Sequence, residues 1–217
     1  MASTGLQLLG LLLATMGWVG GALVCAAPLW RVSAFVGGEI VIAQMMWEGL
    51  WMTCLSQSTG EIQCKTYDST LALPTSAQVS RSLCVLSLLL CLFALLLGVV
   101  GVKCTTCLGE GAFSFKARLA RVAGLLFVAA GVFYLAPICW TAYAVVRDFY
   151  DPNIPAPLKR ELGPALYLGW GSGVLLLVGG ALLYLGSTAP VVKATPTFGG
   201  GVRSNPLPVV IEEKEYV

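Results

Sequence analysis

Two cysteines, Cys54 and Cys64, are the residues whose spacing most directly suggests a chemical bond. They lie symmetrically about Thr59, within a polar stretch at 57–61 that is typical of a turn. In an antiparallel hairpin that turns there, the two cysteines stand opposite each other, and such opposed residues can have Cα atoms about 4.5 Å apart. That separation allows a disulfide. We therefore predict a structural Cys54–Cys64 disulfide, because a redox pair would favour a CxxC spacing.

Tryptophans precede this pair, in Trp30 and in the tripeptide Gly49-Leu50-Trp51. Tryptophan favours membrane–water interfaces, so we predict that these four residues are structural and anchor a small sheet to helix ends. The surrounding chain is rich in β-branched and aromatic residues, and it has strand-like stretches at 31–36, 39–44 and 47–55.

Residues that could support catalysis or metal binding are few. The sequence has no His, which removes the commonest general base and the commonest metal ligand. Cys104 and Cys107 have the spacing of half a zinc site, but no second CxxC pair and no His completes it. We expect no enzymatic activity and no cofactor.

The composition indicates a membrane protein. Of 217 residues, 57% are hydrophobic and 11% are charged, whereas about 25% are charged in a soluble domain. The net charge of +2 gives no indication of nucleic-acid binding. Four apolar runs reach the roughly 20 residues that a crossing needs. A signal peptide is the alternative for the first run, but that run is too long and no Lys or Arg precedes it.

The predicted organisation therefore alternates spans and connections. The spans are transmembrane helices at 6–27, 83–102, 122–146 and 162–189. They are joined by an N-terminus at 1–5, a first extracellular loop at 28–82, a cytoplasmic loop at 103–121, a second extracellular loop at 147–161, and a disordered tail at 190–217 that is rich in Pro and Gly.

Positive charge sets the predicted orientation. The loop at 103–121 contains four basic residues and one acid, so we expect it, and both termini, to be cytoplasmic. The disulfide loop then faces the oxidising side, as a disulfide requires.

The Trp, Gly-Leu-Trp, Cys, Cys pattern within a four-span chain resembles the claudin family. That pattern alone is shared with peripheral myelin proteins and calcium-channel gamma subunits. Further claudin-like strings occur along nearly the whole chain: Gln63-Cys64-Lys65, Leu71-Ala72-Leu73-Pro74, Cys104-Thr105-Thr106-Cys107, Pro137-Ile138-Cys139-Trp140, Asp148-Phe149-Tyr150-Asp151-Pro152, Glu161-Leu162-Gly163, Tyr167-Leu168-Gly169-Trp170 and Tyr216-Val217.

The resemblance implies an α-helical membrane protein with a left-handed four-helix transmembrane bundle and a small extracellular antiparallel β-sheet of about five strands. It also implies a tight-junction protein that polymerises with itself and other claudins, in cis and in trans, and seals the paracellular space or lines ion pores in it. The alternative is an auxiliary subunit of an ion channel. The short first loop, the lack of an N-glycosylation sequon and the Tyr-Val end argue against that alternative.

For charge selectivity, the resemblance points to Lys65, whose side chain should lie on the face opposite that of Cys64. A fixed cation beside a narrow aqueous path repels cations, so we predict a barrier that disfavours sodium. Glu48 and Asp68 are close enough in sequence to modify this field, and a merely solvated surface Lys is the alternative.

Exposed aromatics in the second loop suggest a contact surface, and the resemblance implies trans contacts through Phe149, Tyr150 and Pro152. Packing on the sheet is the alternative. Asp151 replaces an Asn that some claudins use to bind a bacterial enterotoxin, which argues against strong toxin binding. Thr70 stands where many relatives carry a larger apolar residue, which predicts weaker cis assembly.

Two further sites are expected on the cytoplasmic side. Juxtamembrane cysteines suit reversible palmitoylation, so we predict that Cys104 and Cys107 carry palmitoyl chains that insert into the membrane lipid. The end of the sequence, Glu215-Tyr216-Val217, fits a ligand for PDZ domains, which hold a terminal carboxylate while the peptide adds to a sheet edge. The resemblance implies zonula occludens scaffold proteins as the partners.

Overall fold

The computed structural model describes residues 2–34, 45–57, 60–68, 73–102, 113–155 and 158–188. Four helices are long and apolar enough to cross a membrane, as predicted. They are α1 (Ala2–Ala26), α2 (Thr75–Gly101), α3 (Phe113–Tyr150) and α4 (Pro164–Thr188).

Two of these helices extend into segments that the sequence assigned to loops. Helix α2 begins directly after Pro74, well before the apolar run. Helix α3 begins at Phe113, inside the predicted cytoplasmic loop, and continues through Arg147 to Tyr150. Polar residues at the start of α2 lower the hydropathy of this part of the helix, but they do not interrupt its backbone hydrogen bonds. One of them, Gln78, donates from its side chain to the Leu73 carbonyl at 3.0 Å. The ends of an apolar run are therefore not the ends of the helix that contains it.

Small residues set the packing of the bundle. Helix α1 packs mainly on α4, and α3 packs on both α2 and α4, whereas α1 and α2 contact each other much less. A Cβ added to Gly10 would lie 2.6 Å from the Leu183 nitrogen of α4, so the two backbones approach closely. Large side chains such as Leu12 and Leu168 are exposed on the outside. This arrangement is typical of membrane helices, where small residues allow close contact.

Buried polar side chains link the helices. The Gln7 amide nitrogen donates to the Gly186 carbonyl at 2.9 Å, and the Ser87 hydroxyl donates to the Ala130 carbonyl at 2.8 Å. The Trp18 indole donates to the Leu88 carbonyl of α2 at 3.2 Å. Each bond satisfies a polar group that would otherwise lie in an apolar environment.

Five short strands form one antiparallel sheet beside one end of the bundle, in the order β4-β3-β2-β1-β5. The strands are β1 (Arg31–Ser33), β2 (Met45–Glu48), β3 (Met52–Ser56), β4 (Ile62–Thr66) and β5 (Arg160–Leu162). The strand-like stretch at 47–55 is two strands joined by a tight turn. Strand β5 comes from the segment between α3 and α4, so the sheet combines both segments predicted as extracellular loops.

Candidate functional site

The hairpin of β3 and β4 contains the predicted disulfide. Cys54 and Cys64 are paired in register, with Cα atoms 4.0 Å apart, and their sulfurs are bonded. The turn is closed by a hydrogen bond from the Gln57 nitrogen to the Glu61 carbonyl at 3.0 Å. Gly60 has a φ of +83°, a conformation that favours glycine. The disulfide predicted from the symmetry about Thr59 is confirmed.

Trp30 connects three elements at the junction between sheet and bundle. Its indole nitrogen donates to the Val24 carbonyl at 2.8 Å, which satisfies a carbonyl in the last turn of α1. Its backbone nitrogen donates to the Glu48 carbonyl at 3.0 Å, and its own carbonyl accepts from the Gly163 nitrogen at 3.0 Å, just before α4. The side chain is almost fully buried.

Gly49, Leu50 and Trp51 form the turn between β2 and β3. The Gly49 nitrogen donates to the Met52 carbonyl at 2.9 Å, which closes the turn. A Cβ on Gly49 would collide with Pro28 and would lie 2.9 Å from the Ala27 carbonyl, so only glycine lets the turn lie against the end of α1. Leu50 is buried in the same core as Trp30. The tripeptide thus seats the sheet on the helix ends.

Arg81 of α2 completes this junction, and sequence reasoning missed it. Its Nε donates to the Leu50 carbonyl at 2.7 Å. Its guanidinium carbon lies 5.1 Å from the ring centres of both Trp51 and Tyr67. The residue is only 7% exposed. The available signal was a basic residue two positions before the apolar run at 83–102. A charge in such a place is buried only when it is paired, so its presence indicates a partner nearby.

One face of the sheet bears a row of polar and charged residues. Lys65 of β4 lies opposite Thr53 of β3, Thr53 lies opposite Glu48 of β2, and Glu48 lies opposite Arg31 of β1. Residues that are directly opposed in neighbouring strands point to the same face. Two of the predicted charges, Lys65 and Glu48, are therefore on one face together with an arginine that the sequence analysis did not single out.

Two ion pairs belong to this face. Lys65 Nζ lies 2.7 Å from Asp68 Oδ2, and both side chains are 77% exposed. Arg160 Nη2 lies 2.7 Å from Glu48 Oε1, with side chains only 22% and 24% exposed. Arg160 is in β5, far from Glu48 in sequence, so this ion pair depends on a long-range strand pairing that no local pattern indicates. We call the five residues Arg31, Glu48, Lys65, Asp68 and Arg160 the charged face.

The predicted contact residues of the second loop lie at the end of α3 and just beyond it. Phe149 and Tyr150 are the last helical residues, with rings 5.5 Å apart in an edge-to-face arrangement. Tyr150 and Pro152 are exposed, whereas Phe149 is half-buried. Lys159 donates to the Phe149 carbonyl at 2.8 Å and its Nζ lies 5.5 Å from that ring. Tyr150 and Pro152 therefore present the accessible part of this surface.

Several predicted residues lie outside the described part of the chain. They are the palmitoylation candidates Cys104 and Cys107, Thr70, and the candidate PDZ ligand formed by Glu215, Tyr216 and Val217.

Comparison with known proteins agrees with this architecture. The model of the PMP-22/EMP/MP20/Claudin family matches residues 4–183. Claudin-6 of Homo sapiens is 55% identical over 84% of this chain and 82% of its own length. Claudin-9 of Homo sapiens is 56% identical over 79% of this chain and 78% of its own length. Claudin-4 of Bos taurus is 52% identical over 84% of this chain and 87% of its own length. The chain therefore belongs to the PMP-22/EMP/MP20/Claudin family and, within it, to the claudins, which are structural proteins of the tight junction and not enzymes.

Proposed function

We propose that this protein polymerises in cis and in trans into tight-junction strands, which seal the paracellular space and disfavour the passage of cations. The observation that supports the ion preference is the charged face, a set of fixed charges on a sheet that is seated on the helix ends. Expression in cells that lack tight junctions tests the assembly. Continuous intramembrane strands should form at cell contacts. Altered currents of a co-expressed channel without strands would instead indicate an auxiliary channel subunit.

In this proposal the sheet is extracellular and both ends of the chain are cytoplasmic. The basic loop at 103–121 and the oxidised Cys54–Cys64 pair support the same orientation, because positive loops stay in the cytoplasm and disulfides form outside it. A membrane-impermeant amine reagent applied to intact cells should label the exposed Lys65 and leave Lys103 of the basic loop unlabelled. Labelling of Lys103 but not Lys65 would reverse the orientation.

The charged face has three basic and two acidic residues, a balance of one positive charge. Both acids are paired with basic residues, at 2.7 Å in each case. In a pore narrower than the roughly 8 Å Debye length, the electric field of this net positive charge extends across the whole lumen. A partly dehydrated cation is exposed to that field at an effective dielectric below that of bulk water. Sodium should therefore permeate less readily than chloride.

The test is the dilution potential across epithelial monolayers that express each variant. Lys65→Asp changes the local charge by two units and leaves Asp68 without its partner, so it should raise sodium over chloride permeability. Lys65→Thr should act in the same direction with a smaller effect, and Asp68→Asn should act in the opposite direction. The matched control is Arg147→Thr, since Arg147 also forms an exposed ion pair, but on α3. An unchanged potential with Lys65→Asp would refute the selectivity proposal.

For trans contacts we propose the surface formed by Tyr150 and Pro152. The supporting observation is the exposure of an aromatic ring beside a turn in which the Asp151 carboxylate accepts from the Asn153 nitrogen at 2.9 Å. Tyr150→Ala should weaken adhesion between cells that express the protein, because the exposed ring is lost. Tyr143→Ala is the matched control, since Tyr143 is an exposed tyrosine within the apolar part of α3.

We also propose that Cys104 and Cys107 are palmitoylated. Thiols directly after the second apolar run would lie at the membrane surface on the cytoplasmic side. An acyl-exchange assay should detect thioester-linked lipid on the protein. An equal signal after Cys104→Ser with Cys107→Ser would contradict the assignment.

The last part of the proposal is that Glu215-Tyr216-Val217 binds a PDZ domain of a zonula occludens scaffold. Removing Tyr216 and Val217 should abolish scaffold binding, because an apolar side chain and the carboxylate are lost together. Tight-junction strands should still form, because in this proposal the extracellular loops make the contacts between molecules. Undiminished binding by the shortened chain would disprove the assignment.

A further inference from the structure

Two adjoining cavities lie where the sheet meets α2 and α3. The first has a volume of about 140 Å³ and is bounded by the sheet, the turn at Gly49 and the start of α2. The second has a volume of about 380 Å³ and lies between α2 and α3. Ser76, Ser80 and Trp140 line both cavities. The two cavities together therefore form one space, which we call the α2–α3 cleft.

The α2–α3 cleft changes from polar to apolar along its length. Its walls at the sheet include Arg31 and Glu48, whereas its walls farther into the bundle include Leu83 and Pro137. Helix α2 rises by about 10 Å over the seven residues that end at Leu83. Both helices are long and apolar enough to span a membrane. The apolar end of the cleft is thus placed among lipid chains, with the polar end beside the sheet.

The packing of α2 against α3 explains why the cleft is open. Small side chains line it, in Ser76 and Ser80 of α2 and Ala136 of α3, so they leave space between the helices. Trp140 is 60% exposed at its edge, and tryptophan favours membrane–water interfaces. One turn below the cleft, the helices are joined by the Ser87–Ala130 hydrogen bond of 2.8 Å. The opening is therefore confined to the sheet end of the α2–α3 interface.

Positive charge surrounds the polar end of the cleft. The Glu48 carboxylate lies 2.7 Å from Arg160 Nη2, so its charge is already compensated. Arg31 forms no ion pair with any residue that the structure describes. Arg81 donates to the carbonyl of Leu50, which lines the cleft, and its Nη2 has no hydrogen-bond partner within the same described set. Arginines in such a place favour an anion, and phosphate is one that matches the geometry of guanidinium.

We propose that the α2–α3 cleft binds one phospholipid from the leaflet that adjoins the sheet. The lipid phosphate binds Arg31 at the polar end, and one acyl chain fills the apolar end beside Val79, Leu83 and Pro137. A void deprives its lining atoms of van der Waals contacts, and the acyl chain restores those contacts. A free phosphate would leave the apolar end empty, and a chain without a phosphate would leave Arg31 unpaired. The cleft therefore fits a molecule that has both parts.

A bound phospholipid would brace the sheet on the bundle, because its phosphate contacts β1 while its chain contacts α2 and α3. The site does not depend on the ion selectivity proposed above. Lys65 is in the edge strand β4 and lines neither cavity of the cleft. The dilution potentials of the Lys65 variants and the binding of a lipid are thus separate measurements.

The first test is a titration of the purified full chain, followed by native mass spectrometry. Dioleoyl phosphatidylglycerol should bind saturably as one molecule per chain. Dioleoylglycerol, which lacks the phosphate, should bind about tenfold more weakly, because a charge-assisted hydrogen bond is lost. Glycerol phosphate, which lacks the chains, should not bind at the concentrations that saturate the phospholipid. Equal affinity for either truncated probe would overturn the proposal.

Variants locate the site. Ala136 is exposed and lines the apolar end, so Ala136→Phe should fill the cleft without disturbing the core and should abolish the saturable complex. The matched control is Ala181→Phe, which makes the same change at an exposed position of α4. Arg31→Gln should weaken binding of the phospholipid about tenfold but leave that of dioleoylglycerol unchanged. Undiminished phospholipid binding by Ala136→Phe would overturn the site.

The wild-type protein alone decides the proposal if a variant does not fold. A phosphatidylglycerol with a photoreactive acyl chain should label peptides that contain Leu83 or Pro137, and excess unlabelled lipid should suppress that labelling. Labelling spread evenly over exposed residues such as Leu12 and Leu168, without suppression, would indicate bulk lipid only and overturn the proposal. A dimer in which a second copy shields α2 and α3 from the label would overturn it equally.

Discussion

Arg81 shows how a single charged side chain can join two parts of a membrane protein. Its guanidinium is buried, and Nη2 has no hydrogen-bond partner among the described residues. Burying a cation in this way is costly. The cost is offset by the hydrogen bond to the Leu50 carbonyl and by the rings of Trp51 and Tyr67, whose faces attract a cation. The residue therefore links α2 to the turn between β2 and β3.

Removing this side chain should loosen the sheet. Arg81→Ala loses a charged hydrogen bond and two ring contacts, so we expect the free energy of unfolding to fall by about 2–4 kcal/mol. Arg81→Lys should lose less, because an ammonium can still donate to the Leu50 carbonyl. Thermal unfolding of the purified protein in lipid nanodiscs measures the effect. The control is Arg147→Ala, which removes an exposed arginine. Equal stability of the two alanine variants would contradict this role for Arg81.

Helices α1 and α4 depend on glycine for their contact. A Cβ on Gly179 would lie 2.5 Å from the Ala14 nitrogen and 2.7 Å from the Gly10 carbonyl. These neighbours are backbone atoms, which cannot move aside as a flexible side chain can. Close backbone contact strengthens van der Waals packing, which drives helix association in a membrane. The α1–α4 interface is therefore set by these small residues.

Gly179→Ala should separate α1 from α4 and destabilise the bundle, even though alanine is the better helix former by up to about 1 kcal/mol. Gly171→Ala in the same helix is the matched control, because nothing lies within 4 Å of a Cβ at that position. We expect Gly171→Ala to be neutral or slightly stabilising. The comparison is the thermal unfolding midpoint of the two variants in the same lipid. A higher midpoint for Gly179→Ala than for Gly171→Ala would show that the interface can adjust.

Hydropathy located the four helices but not all of their ends. Apolar runs report which residues can face lipid, whereas α2 and α3 continue into polar sequence around Arg81 and Arg147. The β3–β4 register followed from the two cysteines because their pairing is local. The pairing of β1 with β5 did not, since it joins residues such as Ser33 and Arg160 that are far apart in sequence. The Arg160–Glu48 ion pair was missed for the same reason.

The molecule as a whole is a helical bundle that supports a sheet through a few specific contacts. Trp30 and the Gly49-Leu50-Trp51 turn could be identified from the sequence, because their residue types are unusual and their spacing is distinctive. The packing that makes them effective could not, since it depends on how the ends of α1, α2 and α4 come together in space. Local chemistry was therefore predictable, and long-range geometry was not.

Strand β4 is the part of the sheet that most needs its disulfide. It lies at the sheet edge, pairs only with β3 among the described strands, and all of its residues are exposed. Burial therefore contributes little to holding it in place. In the chain-entropy model, a bond that closes so short a loop contributes somewhat under about 3 kcal/mol. That contribution is large compared with the stability of an isolated two-stranded hairpin, which is marginal at best in water.

Breaking this bond should therefore abolish the paracellular seal. Cys54→Ser or Cys64→Ser should release β4, and with it the Lys65 side chain of the charged face. The double variant should be no worse than either single variant, because the same bond is lost in all three. Transepithelial resistance of expressing monolayers, at matched surface levels of the protein, measures the seal. Cys139→Ser is the control, since it replaces a free cysteine. Normal resistance in either single variant would mean that the β3–β4 pairing alone holds the edge strand.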